Sequence, residues 1–375
     1  MNREADILNA AAAVAACKTA LRGKKILIGF DGFVDEIIHA VATRKNNQEF
    51  ERIQTIAEFA ERIASAAGKS ANIELVTQLE KLGGNGPIMS LAACGMGCKV
   101  TSIGLMGHPE LEPVFQPLRK VCEQVISIGK PGHTDALEFQ DGKLMLGKLT
   151  TIKDMCWARL LETLGEKGLC DLLFGSDMVA CTNWTMLTEM GEILDHVISL
   201  VPAKCGTKFF FDLADPEKRS SRDLEKVLQQ IQSLNRKTEC VLGLNLREAE
   251  QVSQVLGIAG DCHETLEDVE AASSRIRARL ELAGVVVHAV KFAGASRGGE
   301  SAAVKGPYCP KPKLSTGAGD HFNAGFCGGL LAELSLKNAL YLGVGTSGWY
   351  VRNGASPALE DVVEFLRDWG EKGEA

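Results

Sequence analysis

Lys25-Ile26-Leu27-Ile28-Gly29-Phe30 is a short, almost continuously apolar run, and similar runs recur along the chain. A run that is apolar on both faces is typical of a strand in a parallel sheet covered by helices on both sides. The predicted strands are Lys25 to Phe30, Lys99 to Leu105, Asp177 to Thr182, Lys208 to Leu213, Glu239 to Leu244 and Gly284 to Phe292.

Segments with helical periodicity separate these strands. They lie at about Asn85 to Met96, Trp184 to Leu200, Ser221 to Leu234, Leu246 to Leu256, His263 to Leu282, Asp320 to Leu334, Ser335 to Arg352 and Ala358 to Trp369. Repeated strand–helix units predict an α/β protein with a doubly wound α/β/α sandwich and right-handed crossovers.

The composition restricts the class of protein. The chain has 375 residues, of which 45% are hydrophobic and 24% are charged, as in a soluble globular protein and unlike a disordered one. A net charge of −7, with only 3 Tyr and 4 Trp, argues against a nucleic-acid partner.

The sequence pattern near the start of the chain predicts neither a membrane span nor a secretory signal. Its longest apolar run, Ala10 to Cys17, is far shorter than the ~20 residues of a span and follows acidic Glu4 and Asp6. We therefore expect a cytoplasmic protein with no membrane partner. The 12 cysteines are scattered without a C-x-x-C pair, which predicts free, mostly buried thiols.

Two regions interrupt the strand–helix rhythm. Strand-like runs from Thr134 to Gly147 flank Asp141-Gly142, a two-residue hairpin signal, and another run extends from Ser70 to Gln78. We interpret them as a small β-sheet that is either a lid or a peripheral hairpin without function. Because no linker divides the chain, we predict a single domain over 1–375 with lid segments near 33–50, 68–80 and 132–150.

The most informative stretch is Ser315-Thr-Gly-Ala-Gly-Asp-His-Phe-Asn-Ala-Gly325, where small residues run into a helical pattern. Such a loop presents backbone N–H groups at a helix N-terminus, which is a ready-made anion site. A carboxylate at this place, Asp320, would repel phosphate. It makes sense as a base that takes a proton from an attacking hydroxyl, or as a group that only complements the helix dipole.

This stretch resembles the C-terminal signature of the ribokinase-like carbohydrate kinase family, whose members transfer the γ-phosphate of ATP to sugars or nucleosides. The resemblance implies ATP as a cofactor, an anion hole from the amides of Gly317, Ala318 and Gly319, and Asp320 as the catalytic base. The family usually has Asp or another polar residue where this chain has Leu314. That position bears on the monovalent-cation site common in the family, so a monovalent cation is left open.

Other segments match the family in the expected order. Gly83-Gly84-Asn85 resembles its N-terminal signature, in which paired glycines let the sugar lie against the backbone, although Ile88 and His108 depart from it. Asn245-Leu-Arg-Glu248 fits the family's Asn-x-x-Glu motif, which implies that Asn245 and Glu248 organise Mg²⁺ through water. Glu248 could instead face solvent on the first turn of a helix.

Further site residues follow from the same resemblance. Asp35, with Asp31 as the second choice, is expected to bind the sugar hydroxyls, while one of the two could only stabilise the turn after the first strand. Lys291 and Gly294 fall where the family contacts nucleotide, although this neighbourhood lacks the usual Thr-x-Gly pattern.

The leading hypothesis is an ATP-dependent kinase that phosphorylates a small sugar. A nucleoside kinase is the alternative within the class and would need lid residues such as Phe33 and Phe139 around the base. A catalytically silent sugar-binding relative is the alternative outside it. A dinucleotide oxidoreductase is disfavoured because no Gly-x-Gly-x-x-Gly follows the first strand. The oligomeric state, including a homodimer through the lid, is left open.

Overall fold

The computed structural model describes residues 3–260 and 263–373. Its strands are β1 (Lys25–Gly29), β2 (Phe33–Arg44), β3 (Phe50–Arg52), β4 (Leu75–Gly83), β5 (Lys99–Leu105), β6 (Gln124–Gly129), β7 (Gly132–Glu138), β8 (Lys143–Lys148), β9 (Met178–Cys181), β10 (Lys208–Asp212), β11 (Cys240–Asn245), β12 (Gly284–His288), β13 (Phe292–Arg297) and β14 (Glu300–Lys305).

Helices occupy most of the chain between these strands. They are α1 (Arg3–Ala16), α2 (Lys18–Arg22), α3 (Ile56–Ala64), α4 (Asn85–Gly95), α5 (Gln116–Val121), α6 (Trp157–Phe174), α7 (Met190–Leu200), α8 (Ser221–Asn235), α9 (Leu246–Val255), α10 (Leu266–Leu280), α11 (Ala318–Leu331), α12 (Leu336–Asn353) and α13 (Leu359–Lys372).

The large sheet has nine strands in the order β14-β13-β12-β11-β10-β9-β1-β5-β6. All neighbours are parallel except β12–β13 and β13–β14. Two apolar clusters pack on its opposite faces, one around Phe209 and Phe211 and the other around Phe210. The predicted doubly wound α/β/α sandwich is therefore confirmed, and the strand order reverses direction at β1.

The structure differs from two sequence predictions in this sheet. The run Gly284 to Phe292 is not one strand, because β12 ends at His288 and β13 returns antiparallel to it. The helix predicted from Trp184 begins only at Met190, after a left-handed residue at Asn183 with φ of 58°. A non-glycine residue with positive φ interrupts regular structure, and apolar periodicity does not reveal it.

A second sheet of five strands is built around the long strand β2. The first half of β2 pairs with β4 on one edge and with β7 on the other, while β8 extends the sheet from β7. The predicted hairpin around Asp141-Gly142 is confirmed, but the strand expected from Ser70 begins only at Leu75. The segments near 33–50, 68–80 and 132–150 all contribute strands, whereas their action as a lid and a homodimer through them stay predictions.

Two further sequence expectations concern membranes and cysteines. Among the described residues, no helix is long and apolar enough to cross a membrane. The cysteines described here are all free, with the Sγ atoms of Cys94 and Cys122 3.6 Å apart, and Cys262 lies outside the described residues.

The resemblance predicted that Gly294 contacts the nucleotide, and the structure corrects this prediction. It lies inside β13 opposite Val287, and a Cβ added to it would lie 2.6 Å from the backbone N of Glu270 in α10. Gly294 therefore serves the close packing of β13 on α10 and faces a helix backbone instead of a ligand pocket.

We expect Gly294→Ala to destabilise the fold by about 1–3 kcal/mol, because the added methyl group meets rigid backbone. The matched control is Gly206→Ala, where a Cβ would meet no atom within 4 Å. Urea unfolding of both variants measures the effect. Equal midpoints for the two variants would contradict the packing role of Gly294.

Candidate active site

Polar side chains gather at the carboxyl ends of the strands of the large sheet. Asp31 follows β1, Asn183 follows β9, and Asp212, Asn245 and His288 end β10, β11 and β12. In an open parallel sheet this edge is where ligands bind, at the point where the strand order reverses.

Asp31 occupies the centre of this edge and is fully buried. Its carboxylate accepts hydrogen bonds from the backbone N–H of Asn85 at 2.9 Å and of Gly86 at 2.7 Å, and from Asn183 Nδ2 at 2.7 Å. The structure thus contradicts the prediction of Asp31 as a second sugar ligand. Its acceptors are used by the N-terminus of α4, where a negative charge complements the helix dipole.

Asp35 lies two residues into β2 and is 7% exposed. Burial raises the pKa of its carboxyl group, while Lys81 and a hydrogen bond from Thr134 act in the opposite direction. Its carboxyl carbon would lie 2.5 Å from a Cβ added to Gly83. Only glycine at position 83 therefore leaves space for this carboxylate.

Gly84 and Asn85 begin α4 directly after β4. Gly84 has a φ of 95°, and a Cβ there would lie 3.1 Å from Asp31 Oδ2. The side-chain Nδ2 of Asn85 donates to Asp320 Oδ1 at 2.9 Å, across 235 positions of sequence. The structure thus brings the two glycine-rich segments together, as the sequence analysis expected of one site.

Asp320 is on the first turn of α11 and is 5% exposed. Burial raises the pKa of its carboxyl group well above the ordinary value, and the negative charges of Asp212 and Asp31 raise it further. The hydrogen bond from Asn85 lowers this pKa, but burial dominates. A carboxylate with a raised pKa is a stronger base than an exposed one, which suits proton abstraction.

The loop before α11 is held in an unusual conformation. Gly317 has a φ of 89° and is the N-cap residue of the helix. Of the three amides predicted as the anion hole, that of Ala318 already donates to the Ser315 carbonyl at 3.1 Å. This bond corrects the prediction for Ala318. Gly317 and Gly319 line the cleft, and their role as an anion hole stays a prediction.

Two chambers meet at this loop. The first, which we call the apolar chamber, has a volume of about 530 Å³. The second, which we call the acidic chamber, has a volume of about 490 Å³. Asn245, His288 and Gly319 line both chambers and so mark their junction.

The two chambers differ in chemistry. The walls of the apolar chamber include Leu246, Ala289, Val290, Pro307, Phe322, Val344 and Val351. The acidic chamber has the carboxylates of Asp35, Asp212, Asp215, Glu248 and Asp320, with Lys218 as its basic residue. A flat apolar group fits the first chamber, and a polyhydroxylated group that donates hydrogen bonds fits the second.

Asn245 and Glu248 form a capping box at the start of α9. Asn245 Oδ1 accepts from the Glu248 N–H at 3.0 Å, and Glu248 Oε2 accepts from the Asn245 N–H at 2.8 Å. Glu248 is 5% exposed, so the alternative that it only faces solvent is wrong. Its other oxygen accepts from the N–H of Asp215 at 2.8 Å.

Asp212 is a residue of the site that the sequence analysis missed. Its carboxylate accepts from Asn323 Nδ2 at 2.7 Å and from the Ala214 N–H at 2.9 Å. Burial, followed by the charge of Glu248, raises its pKa to about 8. The sequence does contain a pattern that indicates Asp212, because this residue directly follows the apolar run Phe209-Phe210-Phe211, as Asp31 follows β1.

No group of three or more His, Cys, Asp or Glu side chains in residues 3–260 and 263–373 could hold a metal ion directly. Asn245, Glu248 and Asp212 nevertheless offer oxygen atoms at one edge of the acidic chamber. Mg²⁺ prefers oxygen ligands and usually keeps several waters, so these residues fit an ion held through water and not a dedicated protein cage.

Lys291, the other predicted nucleotide contact, lies in the exposed turn between β12 and β13. Its N–H donates to Glu264 Oε1 at 2.8 Å, and its ammonium lies 5.2 Å from the centre of the Tyr308 ring. The neighbouring Val290 and Glu264 line the apolar chamber, whereas Lys291 is not among the lining residues.

Comparison with known proteins identifies the fold and the family. A family model of prokaryotic ketohexokinase matches residues 6–369. A ketohexokinase of Haloferax volcanii is 26% identical over 348 residues, which cover 92% of this chain and 91% of that protein.

Solved structures of sugar kinases share the fold. The ribokinase of Arabidopsis thaliana complexed with ribose and ATP has a TM-score of 0.63 and 15% identity over 92% of this chain and 98% of its own. A carbohydrate kinase from Agrobacterium tumefaciens has a TM-score of 0.62 and 18% identity over 92% of this chain and 97% of its own. The resemblance to the ribokinase-like family is therefore confirmed. The chain belongs to the prokaryotic ketohexokinase family and is a carbohydrate kinase, a phosphotransferase with an alcohol group as acceptor.

Proposed function

We propose that the protein transfers the γ-phosphate of ATP to a hydroxyl group of a ketohexose, with Asp320 as the general base. The observation that carries this proposal is the place of the Asp320 carboxylate. It lies in the acidic chamber, on the helix turn that follows the Gly317–Gly319 loop, and Gly319 lines both chambers. A hydroxyl in one chamber and a phosphate chain entering from the other would meet there.

The acceptor sugar binds in the acidic chamber. Asp35 accepts hydrogen bonds from its hydroxyls, Asn85 orients it beside Asp320, and the glycines at 83 and 84 let it approach the backbone. The chemistry of the chamber supports a neutral polyol, because carboxylates that line it would repel a sugar phosphate. The ketohexokinase relative supports a ketohexose as that polyol.

The nucleotide binds with its base in the apolar chamber and its phosphates at the junction. The amides of Gly317 and Gly319, at the positive end of the α11 dipole, stabilise the transferring phosphoryl group. Asn245, Glu248 and Asp212 would hold Mg²⁺, and this ion would supply neutralisation of the phosphate charge. That charge would otherwise face the carboxylates of the acidic chamber.

The chemical step then needs one proton transfer. Asp320 accepts the proton of the sugar hydroxyl, and the hydroxyl oxygen forms a bond to the γ-phosphorus. At the same time, the bond between the γ-phosphorus and the bridging oxygen breaks, and ADP leaves with that oxygen. Asn85 holds the Asp320 carboxylate by a 2.9 Å hydrogen bond, which fixes the base before the substrates arrive.

The two alternative functions receive less support. Of the two aromatic residues named for a nucleoside pocket, Phe33 lines the acidic chamber, whereas Phe139 packs against Phe59 with ring centres 5.4 Å apart in the core of the small sheet. Asp320, Asn245 and Glu248 are retained and converge on one chamber, which argues against a silent sugar-binding protein.

Asp320→Asn should lower the turnover number by roughly 10²–10⁴-fold, because an amide cannot accept the hydroxyl proton. ATP should bind the variant about as well as the wild type, since the backbone amides of the loop remain. Ketohexose-dependent ADP release measures turnover, and calorimetric titration measures ATP binding. Wild-type turnover in the variant would show that Asp320 is not the base.

The pH profile provides a second test of the base. Asp320 must be ionised to act, and its pKa is raised, so kcat/KM for the acceptor should fall at a pH above the usual Asp value of about 3.9. Asn85→Ala removes a hydrogen bond that favours ionisation and should move the midpoint to still higher pH. Tyr341→Phe, at a residue that lines neither chamber, serves as the control with an unmoved midpoint. If the midpoint of the pH profile in Asn85→Ala equals that of the wild type, the hydrogen bond from Asn85 does not lower the pKa of the base.

Asp35→Asn should raise the KM for the acceptor and leave the KM for ATP nearly unchanged. The amide offers one acceptor oxygen instead of two, and each unsatisfied group costs about 1–3 kcal/mol. Asp31→Asn should instead lower the folding stability, because it removes acceptors from the start of α4. Initial-rate kinetics and thermal unfolding distinguish the two. A larger acceptor defect in a stable Asp31→Asn protein would reverse the assignment.

A further inference from the structure

The loop before α11 is where the family resemblance implies a bound monovalent cation, and the residues present here do not fit one. Leu314 stands at the position that is usually polar, and its side chain has no oxygen to offer. A cation at this place would therefore have no side chain at position 314 to bind it, and would depend on backbone carbonyl groups and on the hydroxyl groups of Ser315 and Thr316.

The carbonyl groups of the loop are already engaged by side-chain donors. The Tyr350 hydroxyl donates to the Thr316 carbonyl at 2.6 Å. The Gly317 carbonyl accepts from His321 Nδ1 at 2.7 Å and from the His321 N–H at 3.1 Å. These are the two carbonyl groups next to the predicted anion hole.

Two carbonyl groups at the end of α12, near this loop, are also engaged, here by backbone N–H groups. The C-terminus of a helix carries partial negative charge and attracts cations. Here, however, the Tyr350 carbonyl accepts from the Gly354 N–H at 2.7 Å, and the Val351 carbonyl accepts from the Lys313 N–H at 2.8 Å. The chain's own donors thus occupy these oxygens as well.

The hydrogen-bond partners of His321 show which of its ring nitrogens carries the proton. A carbonyl group can only accept, so Nδ1 carries a proton. Burial lowers the pKa of His321 to about 4, so the ring is neutral at neutral pH and Nε2 accepts from the Ser356 hydroxyl at 2.9 Å. The ring stacks on Tyr350 with centres 3.6 Å apart, which fixes both donors relative to the loop.

We propose that Tyr350 and His321 are positioning residues that hold the Gly317–Gly319 loop in place of a monovalent cation, so that the kinase does not depend on K⁺ or Na⁺. The inference rests on the proposed role of that loop as the anion hole. Neither Tyr350 nor His321 lines the two chambers. Tyr350 fixes the carbonyl group of Thr316, and the N–H of the same peptide unit belongs to Gly317, so this bond directs the Gly317 amide towards the transferring phosphate. His321 supports Tyr350 through the stacked rings and holds the next carbonyl group, that of Gly317.

The first test uses the wild-type protein and no substitution. Turnover is measured with MgCl₂ and ATP supplied as the Tris salt, in choline chloride, NaCl or KCl at equal ionic strength. We expect rates within about twofold of one another, and equal thermal midpoints in the three salts without substrates. A rate in KCl more than about fivefold above that in choline chloride would overturn the proposal.

The second test is Tyr350→Phe, which keeps the ring stacked on His321 and removes the donor to Thr316. We expect kcat to fall by about tenfold, since one aligned oxyanion donor is worth about 10²–10³ and Tyr350 acts indirectly. KM for the acceptor should stay unchanged. The control is Tyr341→Phe on the same helix, where Tyr341 packs edge-on against Trp369 and should keep wild-type kinetics.

Two outcomes of the second test would overturn the role of Tyr350. One is wild-type kcat in Tyr350→Phe, and the other is a rise in the acceptor KM without a loss of kcat. If Tyr350→Phe does not fold, the salt comparison on the wild type still decides the proposal. Failure of the proposed function is distinct, because it appears as wild-type turnover in Asp320→Asn in every salt.

Discussion

The buried carboxylate of Asp31 joins three segments that are far apart in sequence, and the geometry of the site depends on it. It accepts from the first N–H groups of α4 and from Asn183 after β9, while its own backbone continues β1. Each of these donors, left without an acceptor in the interior, would cost about 1–3 kcal/mol. Because Asn85 is the residue held at the start of α4, the same contact fixes the side chain that binds Asp320. The close approach of Asp31 to α4 also explains why position 86 is a glycine, since a Cβ there would lie 2.9 Å from Asp31 Oδ1.

Backbone strain concentrates at the same edge. Asn183, Ala214 and Asp215 have φ of 58°, 56° and 64°, in the left-handed region that non-glycine residues rarely adopt. Such residues cost of order 1–3 kcal/mol each and persist where the surroundings over-determine them. Here, Asp31 holds the side chain of Asn183, and Asp212 and Glu248 hold the N–H groups of Ala214 and Asp215. The hydrogen bonds to these buried carboxylates thus offset the backbone strain at the three positions. This structural role is separate from any contact that the carboxylates make with a ligand.

The sequence predicted the parts of this structure that depend on local pattern. Apolar runs predicted the parallel strands, and the glycine-rich stretches drew attention to Asp320 and Asn85, which the fold brings within hydrogen-bond distance. It failed where a role depends on which way a side chain points. Asp31 and Asp35 are four residues apart in one motif, yet only the second faces the acidic chamber, because Asp31 is turned towards α4. Asp212 and the pair Tyr350 and His321 escaped notice because each has a partner that lies far away in sequence, at 111, 34 and 35 residues, and only the fold defines these partners. Gly294 was misassigned because a glycine needed for strand–helix packing looks, in sequence, like one needed for a phosphate.

Burial links water exclusion to the basicity of Asp320, the proposed general base. Asp320 is 5% exposed, and burial is the first cause of its raised pKa, ahead of the charges of Asp212 and Asp31. The environment that keeps water away from a transferring phosphoryl group therefore also makes the carboxylate a better proton acceptor. The opposing contact is the hydrogen bond from Asn85, which orients the carboxylate and lowers its pKa. Burial outweighs this bond, so the site gains a fixed geometry while losing only part of its basicity. A charged donor in place of Asn85 would fix the same geometry more strongly, but it would lower the pKa further and weaken the base. A neutral amide is the donor that reconciles the two requirements.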